Sequence, residues 1–87
     1  MDWSQFAIAG SCEELEKSYF RLLAPPEPAT VRPERVLRAA LSALQAKHRA
    51  GAPYLYVSDQ LKAMRQDLAV QHIRSEITVA IYEAHAR

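Results

Sequence analysis

The sequence predicts an all-α domain of about four helices forming antiparallel hairpins. Three observations carry that expectation. Apolar residues recur at three- and four-residue spacing along most of the chain, which is the period of a helix rather than of a strand. Glycine, proline and serine signals for helix starts and stops fall between the periodic stretches. An apolar content of 49% beside 24% charge belongs to a globular chain rather than a disordered one.

The elements follow in chain order. Residues 1–10 hold Trp3, Phe6 and Ile8 without a clear period and read as an arm docked on a core. Ser11 with Glu14 has the form of a capping box, so a first helix is expected from there to about Leu23, with Leu15, Tyr19 and Leu22 on one face. The stretch from Ala24 to Thr30 contains Pro25, Pro26 and Pro28, which remove amide donors and fix φ, so it should be extended and stiff. Pro33 suits the first turn of a second helix. That helix places Val36, Leu37, Ala40, Leu41 and Leu44 on one face and Arg35, Arg38, Ser42, Gln45 and Arg49 on the other. Gly51 is its expected C-cap, and Pro53 prevents continuation.

A third helix is expected from Tyr54 to about Ala69, with Tyr54, Val57, Leu61, Met64 and Leu68 as its apolar stripe. A short strand over residues 54–57 is the alternative, because those side chains favour strands. A break is expected near Gln71, although neither glycine nor proline marks it. The last helix starts near Ser75. Ile77, Ile81 and Ala84 line one side of it, and Val79, Tyr82 and Ala86 line nearly the opposite side. A helix apolar on two faces expects neighbours on both. The second face, with Val79, Tyr82 and Ala86, is therefore expected to meet a partner, following helices or a second copy of the chain. The apolar pattern also runs to Arg87 without a stop signal, so the sequence reads as the N-terminal part of a longer helical domain.

At 87 residues the chain makes one small domain with a thin core. No stretch approaches the roughly 20 apolar residues that span a membrane. Asp2 and Trp3 stand where a signal peptide would be basic. Cys12 is the only cysteine, which excludes an internal disulfide and fits a reducing compartment. The net charge of +1 is unevenly spread. Acids dominate residues 1–27, and basic side chains dominate residues 28–74, an asymmetry that hints at an acidic partner or phosphate.

Chemistry is sparse. Cys12 falls in the first turn of an expected helix, where the dipole lowers a thiol pKa, but no base or motif accompanies it. His72 and Glu76 have the spacing of two metal ligands on one helical face, yet the next helical positions are Ala69 and Ala80, and His85 lies too far along. No glycine-rich phosphate loop occurs. The expectation is no enzyme, no metal and no cofactor. Arg35, Arg38 and Arg49, with Arg32 and Lys47 at the margins, form a face able to follow a phosphate backbone weakly. A solvated helix face accounts for the same pattern, and aromatic side chains for stacking bases are absent from it. Arg65 and Asp67 flank the third stripe, so both should be partly buried and paired. Glu76 or Glu83 is the expected partner of Arg65, and Arg74 that of Asp67. These are read as structural ion pairs.

The run from Tyr54 to Arg87 strongly resembles the signature of the SAC/GANP domain. The family core of Met/Ile-Arg-Gln-Asp-Leu-Thr-Val-Gln corresponds to Met64 through Gln71. Its Arg-x-Glu-Phe-Thr-Val corresponds to Arg74 through Val79, and its Tyr-Glu-x-His-Ala-Arg to Tyr82 through Arg87. Upstream, Leu15 through Leu22 and Pro28 through Pro33 also fit, and the subgroup with leukocyte receptor cluster member proteins and their fungal relatives is the most similar. Ala69 stands for a usual threonine, His72 for a usual glycine and Ile77 for a usual phenylalanine. The resemblance implies the start of a TPR/PCI-like helical solenoid that continues past Arg87 towards a winged-helix module. It implies a non-catalytic nuclear scaffold in messenger-RNA processing and export, working with a PCI-domain protein and a small acidic subunit. It gives Arg65, Asp67, Arg74, Glu76 and Arg87 structural roles, and it transfers no catalytic residue.

Overall fold

The computed structural model describes residues 9–24 and 26–86. Most of the expected arm over residues 1–10 lies outside them, as do the side chains of Ala86 and Arg87. Within the described residues the fold is all-helical, with three helices, α1 (Glu34–Arg49), α2 (Tyr54–Gln71) and α3 (Glu76–Ala86), preceded by a single 3-10 turn at Pro28–Thr30. Each helix packs on the other two.

Val36, Leu37, Ala40, Leu41 and Leu44 are the buried face of α1. Val57, Leu61, Met64 and Leu68 meet them from α2, and Ile77 and Ile81 close the cluster from α3. Leu37, Met64 and Ile81 are fully covered, so truncating any of them to alanine costs about 2–5 kcal/mol. The strand alternative over residues 54–57 is not adopted, because α2 begins at Tyr54.

Helices α1 and α2 end with the same device. Beyond Arg49, the Gly51 amide donates to the His48 carbonyl at 3.0 Å and the Ala52 amide to the Lys47 carbonyl at 3.0 Å, with Gly51 at φ 104°. Beyond Gln71, the His72 amide donates to the Ala69 carbonyl at 3.3 Å and the Ile73 amide to the Leu68 carbonyl at 3.0 Å. These are Schellman motifs, in which a left-handed residue lets the chain fold back on orphan carbonyls. His72 holds that position in α2 at φ 57°, which is why the break near Gln71 carries no glycine. Ser75 opens α3. Its backbone amide donates to the Thr78 hydroxyl at 3.3 Å, a reciprocal cap in which the third helical residue reaches back.

The first expected helix, over residues 11–23, does not form; the segment has no regular secondary structure. Its backbone groups are taken by other elements. The Gly10 amide donates to Gln71 Oε1 at 3.0 Å, and the Ser11 and Cys12 amides donate to the carbonyls of Pro28 and Val31. The Lys17 amide donates to Gln60 Oε1 at 3.1 Å, and the Phe20 carbonyl accepts from Gln66 Nε2 at 2.7 Å. A helix would have had to break these tertiary bonds for local ones, and context outweighs a capping signal of modest strength. Cys12 is accordingly not at a helix N-terminus. Residues 9–24 form a strap across α2.

The strap explains a second buried stripe on α2. Gln60, Ala63, Asp67 and Val70 are buried alongside the core stripe, about a quarter-turn round the helix. One side of α2 therefore faces α1 and α3, and the next faces the strap and residues 31–32.

Candidate functional site

Asp67 organises the strap side. Its carboxylate accepts from Arg32 Nε at 2.7 Å and from Lys17 Nζ at 2.9 Å. Asp67 is 1% exposed and Arg32 0%, so the pair is removed from water. Burial of such charges is tolerated only with close pairing and further hydrogen bonds. Arg32 supplies one by donating from Nη1 to the Leu15 carbonyl at 3.0 Å, while its Nη2 has no partner among the described residues. Lys17 Nζ also donates to the Thr30 carbonyl. Gln71 adds a clamp, donating from Nε2 to the carbonyls of Arg32 and Asp67. The expected partner of Asp67, Arg74, is exposed, and the pairing is corrected to Arg32 and Lys17. Arg74 was the arginine near in sequence, and the fold instead brings Arg32 from 35 residues away.

Arg65 does not bridge to Glu76 or Glu83. Its guanidinium lies 4.6 Å from the centre of the Tyr82 ring and 3.1 Å from His85 Nδ1. Arginine has only donors, so His85 accepts at Nδ1 and donates from Nε2 to Ser58 Oγ, 3.2 Å away. This joint fixes α3 against α2 with a planar stack and an imidazole where acids were expected. Glu76 makes no ion pair among the described residues.

The α1 basic residues are partly neutralised. Arg35 Nη2 lies 2.8 Å from Glu13, and Arg38 Nη2 lies 3.2 Å from Glu34, while Arg49 has no ion pair among the described residues. Ser75 Oγ donates to Glu34 at 2.7 Å, and this bond, with the Arg38 contact, holds the Glu34 carboxyl below its ordinary range. Lys47 and Tyr56 both donate to Glu16 of the strap. The Lys47 bond, then that of Tyr56, keeps Glu16 below the ordinary range; Glu16 in turn pushes Lys47 and Tyr56 up.

Two open surfaces among the described residues adjoin each other at Tyr82. On α3, Val79 is 57% exposed and Tyr82 is 45% exposed. Between strap, α2 and α3 lies a groove of about 380 Å³ lined by Tyr19, Arg21, Leu22, Lys62, Arg65, Gln66, Ala69, Val70 and Tyr82. His72 and Glu76 do not belong to any group of three or more metal-ligating residues among the described ones. No helix of the described residues is long and apolar enough to cross a membrane.

This arrangement can be set beside known proteins. The sequence model of the SAC3/GANP family matches residues 14–87. The chain belongs to the SAC3/GANP family. The matched span takes in most of the strap and all three helices of this SAC3/GANP chain, so the Asp67 lock and the Arg65 joint both fall within the family region. The chain is 48% identical to SAC3 family protein A of Arabidopsis thaliana over 87 residues, which is 100% of this chain and 8% of that protein. It is 42% identical to the leukocyte receptor cluster member 8 homologue of Xenopus laevis over 87 residues, 100% of this chain and 11% of that protein. It is 49% identical to a THP3 homologue of Schizosaccharomyces pombe over 81 residues, 93% of this chain and 20% of that protein. The SAC3/GANP chain thus spans between 8% and 20% of the length of these relatives.

Sequence reasoning missed Arg32, Lys17, Gln60, Gln66, Gln71 and His85 as structural residues. The available signal was α2 itself, which carries Gln60, Gln66, Gln71 and Asp67 in positions that a simple amphipathic helix would leave to water.

Proposed function

We propose that this chain is a non-catalytic scaffold domain of a nuclear protein that acts in messenger-RNA processing and export, in a reducing compartment. On this reading it opens a helical solenoid that works with a PCI-domain protein and a small acidic subunit. Family membership supports the process, and the relatives' greater length supports a larger helical array. The observation that carries the docking role is α3. One side of it, Ile77 and Ile81, is buried in the core, while Val79 and Tyr82 on the other side are largely exposed. We assign Val79, Tyr82 and Ala86 to contact with a partner or with further helices. Arg65, Asp67, Arg74, Glu76 and Arg87 keep structural roles in this proposal. The titratable groups Glu16, Glu34 and Asp67 are engaged in tying elements together, which supports a non-catalytic role.

The test is association with the PCI-domain partner, measured by co-purification and by sedimentation of the mixture. Val79→Glu, which leaves the core stripe untouched, should weaken the complex at least tenfold while preserving helicity. Undiminished association in Val79→Glu would refute the docking role. Assembly of the chain only with itself through the same face would refute the hetero-partner.

A further inference from the structure

The strap is anchored at Phe20 by its backbone, and the Phe20 side chain is left in water. Gln66 Nε2 donates to the Phe20 carbonyl at 2.7 Å, yet the residue is 70% exposed, and Leu23 is 80% exposed. Phe20 lines a cleft of about 230 Å³ whose other apolar walls are Leu22, Pro26, Val31 and Val70. The charged groups at this cleft, Lys17 and Asp67, are paired with each other at 2.9 Å. Leu22, Gln66 and Val70 also line the groove of about 380 Å³ between strap, α2 and α3, so the two hollows share a wall. That groove presents Arg21 and Lys62, and no carboxylate lines it. Neither cation is in an ion pair among the described residues. Tyr19 holds the Lys62 ammonium 4.4 Å from its ring centre, and Tyr82 holds the Arg65 guanidinium at 4.6 Å, so both rings are already covered. Negative charge is what this side of the molecule lacks. The α1 face differs, since Glu13 and Glu34 already sit on Arg35 and Arg38.

We propose that cleft and groove together dock an acidic, apolar peptide segment of another protein. A bulky apolar side chain enters the cleft against Phe20, and carboxylates beside it in the peptide meet Arg21 and Lys62. The cleft has the volume of several water molecules, enough for one such side chain. Apolar contact supplies affinity, and the unanswered cations supply orientation and a faster encounter. The backbone grip of Gln66 on Phe20 fixes the cleft wall beforehand, which lowers the cost of ordering it on binding. Nucleic acid would answer the cations, but the rings on which its bases would stack are occupied, and it has no aliphatic group for the cleft. The assignment goes beyond the docking role of α3, because Val79 lines neither hollow.

The test is fluorescence anisotropy of the chain with the labelled peptide Asp-Asp-Leu-Phe-Glu-Glu-Leu. Two control peptides accompany it, one with its apolar residues replaced by alanine and one with its acids replaced by their amides. Each control should bind about tenfold more weakly or worse. Arg21→Gln with Lys62→Gln should weaken binding of the parent peptide about fivefold or more and lower its salt dependence. Phe20→Ala should weaken it by a similar factor, and Arg35→Gln with Arg38→Gln on α1 should leave it unchanged. Far-UV spectra check each variant, and Arg21→Gln alone, expected to cost about twofold, decides the matter if loss of the Lys62 contact with Tyr19 loosens the strap. Titration followed by amide shifts should move Val31 and Val70. Equal binding of either control peptide, unchanged affinity in the groove pair, an equal loss in the α1 pair, or shifts confined to α3 would each overturn the assignment. So would tighter binding of oligouridylate through the same cations, or a dimer of the chain that excludes the peptide. Loss of partner association in Val79→Glu with peptide binding intact separates the two proposals.

Discussion

Replacing Asp67 by asparagine is the most informative single perturbation of this fold. Asp67 holds Arg32 Nε at 2.7 Å and Lys17 Nζ at 2.9 Å, and Arg32 is completely buried. Asparagine keeps the volume but leaves the Arg32 charge in a dry site without its counter-ion, a change that costs about 3–5 kcal/mol. A domain of this length has a total stability of about 4–13 kcal/mol, so the loss is a large fraction of the whole. Lys17 is 20% exposed on its side chain and can turn to water, so Lys17→Met should cost only about 1 kcal/mol. Arg32→Met falls between, because Asp67 retains Lys17. The double variant Asp67→Leu with Arg32→Met removes both charges, and it should be less damaging than Asp67→Asn alone. Urea unfolding followed by circular dichroism gives the energies. Amide exchange gives the location, since the Gly10, Cys12 and Lys17 amides should lose protection before those of the core helices. An Asp67→Asn midpoint that implies less than about 1 kcal/mol, or a double variant worse than the single, refutes the view of Asp67 as the buried anchor of the strap.

Three further expectations follow from the backbone and the surface charges. Gly51→Ala should destabilise the domain by about 1–2 kcal/mol purely through its φ of 104°, because the added methyl meets nothing within 4 Å; thermal unfolding measures it. Gly10→Ala places a methyl 2.3 Å from the Val31 carbonyl oxygen, so it should detach the start of the strap, raise amide exchange at residues 10–12 and leave the helical signal of α1–α3 intact. Glu16 and Glu34 are both held below their ordinary value of 4.5, so their contribution is complete above that pH and fades as pH falls through the depressed values. Acid unfolding of Glu16→Gln with Glu34→Gln should therefore show a shallower loss of stability below pH 4.5 than the parent chain.

The helical part of this architecture was legible because its information is local. The five core positions of α1 follow from a single apolar stripe, and Gly51 and Pro53 bracket the turn that follows it. The core stripe of α2 was equally plain from Val57 to Leu68, although Tyr54, expected in it, is 66% exposed at the first turn; the division of α3 into a buried side with Ile77 and an open side with Val79 was plain too. The strap was not legible. Ser11 and Glu14 carry a true helix-start pattern, but the groups that override it lie far away in sequence, at Gln60, Gln66, Gln71 and Val31. The charge pairing failed for the same reason. Asp67 and Arg32 are 35 residues apart, and nothing in periodicity tells a carboxylate which of two arginines will be folded over it. Arg65 was read as needing an acid, whereas a ring face and an imidazole take its place, with the buried Nε left without a partner among the described residues. The groove likewise exists only because Tyr19 and Arg21 arrive on a strap that is not helical; on a helix they would have been turned away from each other.

Because Gln60, Gln66 and Gln71 grip amides and carbonyls rather than side chains, much of the strap is read as a peptide, and its sequence matters chiefly at Glu13, Glu16, Lys17 and Tyr19. Positions such as Ser11, Glu14 and Ser18, whose side chains face solvent, should accept wide substitution. The three glutamines, serving a partner that has no alternative chemistry to offer, should accept very little. A synthetic peptide following the same course and keeping Gly10, Glu13, Glu16, Lys17 and Tyr19 has what it needs to take the strap's place.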